Sequence, residues 1–298
     1  MEHRVAASGD LSARALQPLL DPLFPGGVLP TGVLTHVIDL RSVRFISPGP
    51  LVTMATVLAN RSPSHPAIRL VVPENWDCRR YLAAAGFLQP LGESVEIEGA
   101  GDLMGLGPSE LETLLPLTRL SASEEIPELL RRIEGRLDSM MGGGNGTWEA
   151  TKRPILSTIR ELAENVFQHA DGSAGWIAAQ RYRTRVGTPF IEVAIADRGR
   201  GIRRSLATRH TELLLSSDSQ ALERMLTEKL SRHSNAFRGT GYFVLQLATR
   251  ELDGSFHLRS GSGTAERVRR GALQHQDCIS TWPGTQLQAR FTCSSGAK

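Results

Sequence analysis

The sequence predicts a two-domain α/β chain, on three observations. Its 298 residues are about twice the ~150 residues of a common domain. Strand-like and helix-like runs alternate through the first third of the chain. The charge balance then changes. Residues 1–118 carry 8 basic and 12 acidic side chains and residues 119–298 carry 26 and 19, so a −4 segment meets a +7 segment under a net charge of +3. Apolar residues are 40 % and charged residues 22 %, which excludes collagen-like, disordered and coiled-coil chains.

Taken in order, the first 30 residues end in PLLDPLFPGGVLPTG and predict an extended lead-in. The runs at 36–40 (HVIDL) and 43–46 are strand-like, and Ser47-Pro48-Gly49-Pro50 is a turn opening a helix over 51–60. A buried-strand pattern follows at 67–72 (AIRLVV), then a helix over 75–87 with a stop at Gly86, then a short strand at 95–98. Residues 101–122, punctuated by Gly, Pro, Ser and Thr, predict a linker, which places the domains at 1–118 and 119–298.

In the second domain Ile126, Leu129, Leu130, Ile133 and Leu137 recur at helical spacing over 124–141. That stripe suits either internal packing or a homodimer. The glycine run at 142–146 ends this helix, and a second long helix spans 147–169. Strands are expected at 176–182 and 190–196, followed by a polar, Arg-rich insertion at 202–238. A helix over 242–252 and strands near 255–259 and 285–292 close the chain, with a turn at 260–263.

Several function classes are excluded at once. Only three of the 34 basic residues are lysine (Lys152, Lys229 and Lys298), and no GxxxxGK[ST] loop or VAIK lysine is present. GxSxG and HExxH are absent too. Cys78, Cys278 and Cys293 form no CxxC pair and read as reduced thiols. The start, MEHRVAASGD, lacks the apolar core of a signal peptide, and no apolar run approaches the ~18–20 residues of a membrane span. A cytoplasmic location without membrane contact is expected. The basic half suits a polyanion, but 5 % aromatics offers little for base stacking and argues against nucleic acid.

Four short motifs carry chemistry. In PILSTIRELAENVFQHA, Ile155, Ile159, Leu162 and Val166 form one stripe, while Glu161, Asn165 and His169 form another. A carboxylate that can take a proton from water and an amide oxygen that can ligate Mg²⁺ then face one way. A solvated polar face fits the same spacing. Asp197-Arg198-Gly199-Arg200-Gly201-Ile202 follows a strand, where an Asp can accept from an exocyclic amine and alternate glycines permit tight turning. An ordinary turn would look alike. Arg238-Gly239-Thr240-Gly241-Tyr242 opens a helix whose N–H groups could cradle phosphate without lysine. Gly284-Thr285 enters the last strand.

In this order, the four motifs resemble the nucleotide-binding boxes of the GHKL ATP-binding superfamily, over about 150–298. The resemblance implies an α/β sandwich (Bergerat fold) that takes ATP and Mg²⁺. It makes Glu161 the candidate general base, Asn165 the metal ligand, Asp197 the adenine reader and Thr285 its support. Gly199, Gly201, Ile202, Gly239, Thr240 and Gly241 would form the hinges and phosphate-facing turns, and 202–238 the ATP lid, with a short helix near 218–230. Arg203, Arg204, Arg232 and Arg238 would supply counter-charge.

The ENxxxHA form is most similar to the serine kinases that act as anti-sigma factors, although Tyr242 stands where many relatives have Leu. The first half, through Val37-Ile38-Asp39-Leu40 and Val43-Arg44-Phe45-Ile46-Ser47, resembles a STAS domain. Its phosphoacceptor position falls on Pro48 or Gly49, with Ser47 adjacent.

These features support three functions: a nucleotide-controlled switch that binds a protein partner, a serine kinase acting on a partner or on Ser47, and an interaction protein with a structural nucleotide. A histidine kinase is disfavoured, because His3, His36 and His65 do not sit on a helix ahead of the ATP module.

Overall fold

Two sheets organise the chain, one parallel and one antiparallel, with helices between and over them. The computed structural model describes residues 2–21, 35–59, 67–101, 103, 113–141, 146–169, 174–230 and 241–293. The first sheet has the order β1 (Glu2–Leu11), β2 (Thr35–Ile46), β3 (Ala67–Val71), β4 (Glu96–Glu98), with every neighbour parallel. Its helices are α1 (Ala13–Leu20), α2 (Pro48–Leu58) and α3 (Trp76–Ala84).

The expected lead-in is therefore corrected: it contains a strand and a helix. β1 has one β-branched residue, Val5, so its local preference for strand is weak. It forms by laddering onto β2, with alternate residues half-buried. The Ser12 hydroxyl caps α1 by accepting from the Ala15 N–H at 3.3 Å.

The second sheet has the order β5 (Leu115–Leu120), β6 (Gly175–Arg183), β7 (Pro189–Ala196), β9 (Leu273–Thr292), β8 (Ser255–Arg267), all antiparallel. β5 lies in the segment expected to be linker. Its LPLTRL sequence is short and interrupted by Pro116, and pairing with β6 decides its state. The expected turn at 260–263 is also corrected, because β8 runs through it to Arg267.

Over one face lie α4 (Ile126–Met141), α5 (Gly146–His169), α6 (Ile202–Ala207), α7 (Asp218–Glu228) and α8 (Gly241–Glu251). The α4 stripe is buried against this core, so internal packing, not a dimer, covers it. Much of the expected lid is core as well. Leu206, Ala221, Leu222, Met225 and Leu226 are buried, and the Ser219 N–H donates to Asp277 Oδ1 at 3.0 Å on β9.

The two halves meet through apolar surface. Ile177, Ala179, Ile191, Val193 and Ile195 face the helical layer, whereas Trp176, Ala178, Ala194 and Ala196 join the core of the first half. Burial on both faces explains why β6 and β7 read as near-continuous apolar runs. The small side chains on the second face admit α2, all 11 residues of which are buried. A helix that is apolar all round belongs in such a position. No helix among the described residues is long and apolar enough to cross a membrane.

One carboxylate is caught in this junction. The Ser47 hydroxyl donates to Gln288 Oε1 at 3.2 Å, and Gln288 Nε2 donates to Glu192 Oε2 at 3.3 Å. Burial pushes the Glu192 pKa up to about 7, against the pull of Arg290. The native state thus keeps a proton that the unfolded chain releases near pH ~4.3, so stability falls as pH rises from there to about 7. Glu192→Gln should remove that slope and gain about 3–4 kcal/mol on wild type at pH 8, with no gain at pH 4. Urea unfolding at both pH values checks this; equal differences at the two would refute the buried-acid account.

Candidate functional site

The motifs, up to 124 residues apart in sequence between Glu161 and Thr285, converge at one end of the antiparallel sheet. β7 ends at Ala196, and the next residue, Asp197, is 6 % exposed. Its N–H donates to the Thr285 carbonyl at 2.9 Å, and its Oδ1 accepts the Gly199 N–H at 2.7 Å. The chain then turns at Gly201 (φ 76°), and buried Ile202 starts α6.

Ser260 clamps this turn. Its hydroxyl donates to the Gly284 carbonyl at 3.0 Å and accepts the Ile202 N–H at 2.8 Å. Gly284 has φ 77°, and a side chain there would overlap the Asp197 backbone carbonyl. The sequence reading of 260–263 as a turn gave Ser260 no role, since that role comes from cross-strand register: it pairs with Thr285 in the β8–β9 ladder.

Glu161 and Asn165 lie one turn apart on α5 and face the first residue of α8. A Cβ added at Gly241 would stand 2.8 Å from Asn165 Nδ2, 3.3 Å from Glu161 Cβ and 3.4 Å from Glu161 Oε2. Glycine at 241 therefore lets α8 approach these two side chains closely. The next residue, Tyr242, stands beside the Thr285 side chain and within electrostatic range of Asp197. Tyr242 thus links the two groups of residues. Burial pushes its phenol pKa up, so it stays neutral.

Burial also raises the Glu161 pKa, with repulsion from Glu164 adding to the shift and Arg160 opposing it. A carboxylate shifted this way is a stronger proton acceptor near neutral pH. Asn165 Nδ2 is buried and has no hydrogen-bond partner. A half-turn of the amide would present Oδ1 at the same place, an acceptor aimed at the start of α8. Among the described residues no group of three or more His, Cys, Asp or Glu forms a metal site. Any ion at Asn165 would therefore need oxygens from its ligand and water.

Gly239, Thr240, Arg232 and Arg238 lie outside the described residues. Arg203 is engaged elsewhere: its Nε donates to Asp218 Oδ1 at 2.6 Å, which ties α6 to α7. Ser47, at 2 % exposure, is buried under the second sheet. One cleft lies away from the site, between α1, α2 and the β8–β9 strands, and another borders the end of α8. No family model, no curated protein and no solved structure matches this chain.

Proposed function

We propose that this protein is an ATP-binding switch of the GHKL type, fused to a STAS-like module, that uses Mg-ATP to control binding of a protein partner. The observation that carries this reading is the convergence of Glu161, Asn165, Asp197, Gly201, Gly241 and Thr285 from four separate elements and loops. A turn or a solvated helix face explains each motif alone. Neither explains why an amide with an unpartnered, buried Nδ2 and a pKa-raised carboxylate face Gly241.

The residues present fit the group. Asn165 would hold the metal, and Asp197 with Thr285 and Tyr242 would bind the base. The positive end of α8 would face the phosphates. Magnesium, when bound, neutralises charge on the phosphate oxygens. Glu161 would orient and deprotonate the attacking water.

Transfer to Ser47 is disfavoured by its burial and its bond to Gln288, so a kinase alternative needs a serine on a partner. Partner docking must likewise use surfaces other than the α2 start. Nucleotide-dependent ordering, if it involves 202–238, does not lie in the packed part from Ile202 to Glu228.

Asp197→Asn tests the base contact. Loss of a charge-assisted hydrogen bond costs ~1.5–3 kcal/mol, so Mg-ATP should bind at least about tenfold more weakly by calorimetry. Unchanged affinity would remove Asp197 from the site. Labelled ATP then separates the activities: free phosphate indicates hydrolysis and labelled protein indicates a kinase.

A further inference from the structure

We propose that the cleft between the C-terminal end of α8 and the tip of the β8–β9 hairpin is a second ligand site, which binds the phosphate or pyrophosphate group of a small soluble metabolite through Arg250, Arg267 and Arg270. It lies at the opposite end of α8 from Gly241 and does not depend on the nucleotide reading.

The cleft measures about 330 Å³, within the ~300–1,000 Å³ of small-molecule sites. Gln246, Thr249, Arg250, Asp253, Arg267 and Arg270 supply its polar lining. Arg267 is the unusual member. It is 6 % exposed, and no carboxylate pairs with it among the described residues. Nη2 donates to the Gln246 carbonyl at 3.0 Å and to the Thr249 hydroxyl, which answers the exposed carbonyl end of α8. Nη1 is buried and has no hydrogen-bond partner, and the guanidinium lies 5.5 Å from the centre of the Phe256 ring.

A buried guanidinium without a counter-ion is costly, and an unmade charged hydrogen bond adds to that cost. Desolvation and the nearby Arg250 charge accordingly push the Arg267 pKa below the usual arginine range. An anion bound in the cleft would offset the uncompensated charge.

The other charges near the cleft do not supply that anion. Asp253 is the one carboxylate in the lining, and Arg269 and Arg270 already hold it, the latter at 2.9 Å. Three arginines therefore face a single, engaged carboxylate. Guanidinium groups match the planar, two-point geometry of phosphate oxygens. The recessed position of Arg267 beneath two rim arginines selects a compact group over a flat polyanion. Ala272 and Leu273 add an apolar wall that suits the remainder of a small molecule.

The test is hydrogen exchange on the full chain with inorganic pyrophosphate, without magnesium, alongside phosphatidic-acid vesicles. Pyrophosphate should slow exchange saturably in peptides covering 246–254 and 267–273. Arg250→Ala combined with Arg270→Ala should weaken that protection at least about tenfold, which is about 1.4 kcal/mol. These rim substitutions spare the contacts of Arg267 to α8, so the unfolding midpoint should hold. Asp197→Asn should leave the protection intact. No protection in these peptides, protection that survives the rim double variant, or protection by vesicles alone would each overturn the proposal.

Discussion

Glu161→Gln should bind Mg-ATP within about threefold of wild type and release phosphate about 10²–10⁴-fold more slowly, the usual contribution of a positioned general base. The split follows from the geometry. Gln keeps the size and half-buried seat of Glu161 on α5, so Asn165 and the start of α8 keep their arrangement. It cannot accept a proton. The raised pKa of Glu161 sharpens the test further. Turnover by wild type should fall on the acid side through a pKa above the usual glutamate range, and this limb should vanish in the variant. Phosphate release across pH, with binding measured in parallel, checks both. Equal turnover in the two proteins would assign the base elsewhere. Binding without phosphate release or labelled protein, even in wild type, would favour the structural-nucleotide reading.

The parts of this site that were legible in sequence are the parts with local signals. The step of four between Glu161 and Asn165 is a property of one helix, and its accompanying apolar stripe at Ile155, Ile159, Leu162 and Val166 is buried as that periodicity requires. The helix near 218–230, which the resemblance implied, is observed as Asp218–Glu228, with Ser217 and Gln220 forming a reciprocal cap.

What escaped was non-local. β1 and β5 have weak intrinsic strand character and exist because a neighbour supplies the ladder. Ser260 gains its role from a hydrogen bond that joins residues 24 positions apart in sequence. The seat of α2 between two sheets was hidden for a related reason. Its apolar run announces burial, but the partner surface of Ala178, Ala194 and Ala196 lies more than a hundred residues away. The charge split at residue 118 carries no sign of this contact, in which the shared apolar core makes the first half a cover for the second sheet.

That architecture makes Gly284 the position where one methyl group should do the most damage. Gly284→Ala is expected to cost about 2–4 kcal/mol of folding stability and to abolish nucleotide binding together with it. Two penalties combine. The φ of 77° is in the left-handed region, which costs a residue with a Cβ ~1–2 kcal/mol. The added methyl also overlaps the Asp197 carbonyl and would lie 2.7 Å from Arg198 Cα, both backbone atoms that no rotamer change can move aside. Relief would require the end of β7 to separate from β9. That breaks the 2.9 Å bond from the Asp197 N–H to the Thr285 carbonyl and loosens the Ser260 clamp on Ile202. Gly187→Ala separates the two penalties: its φ is 83°, but nothing lies within 4 Å of the added Cβ. It should lose only the backbone share, ~1–2 kcal/mol, and keep full nucleotide affinity. Urea unfolding and calorimetry on both variants decide the matter. Equal losses at the two glycines would mean that the strand end and the site are not coupled through Gly284.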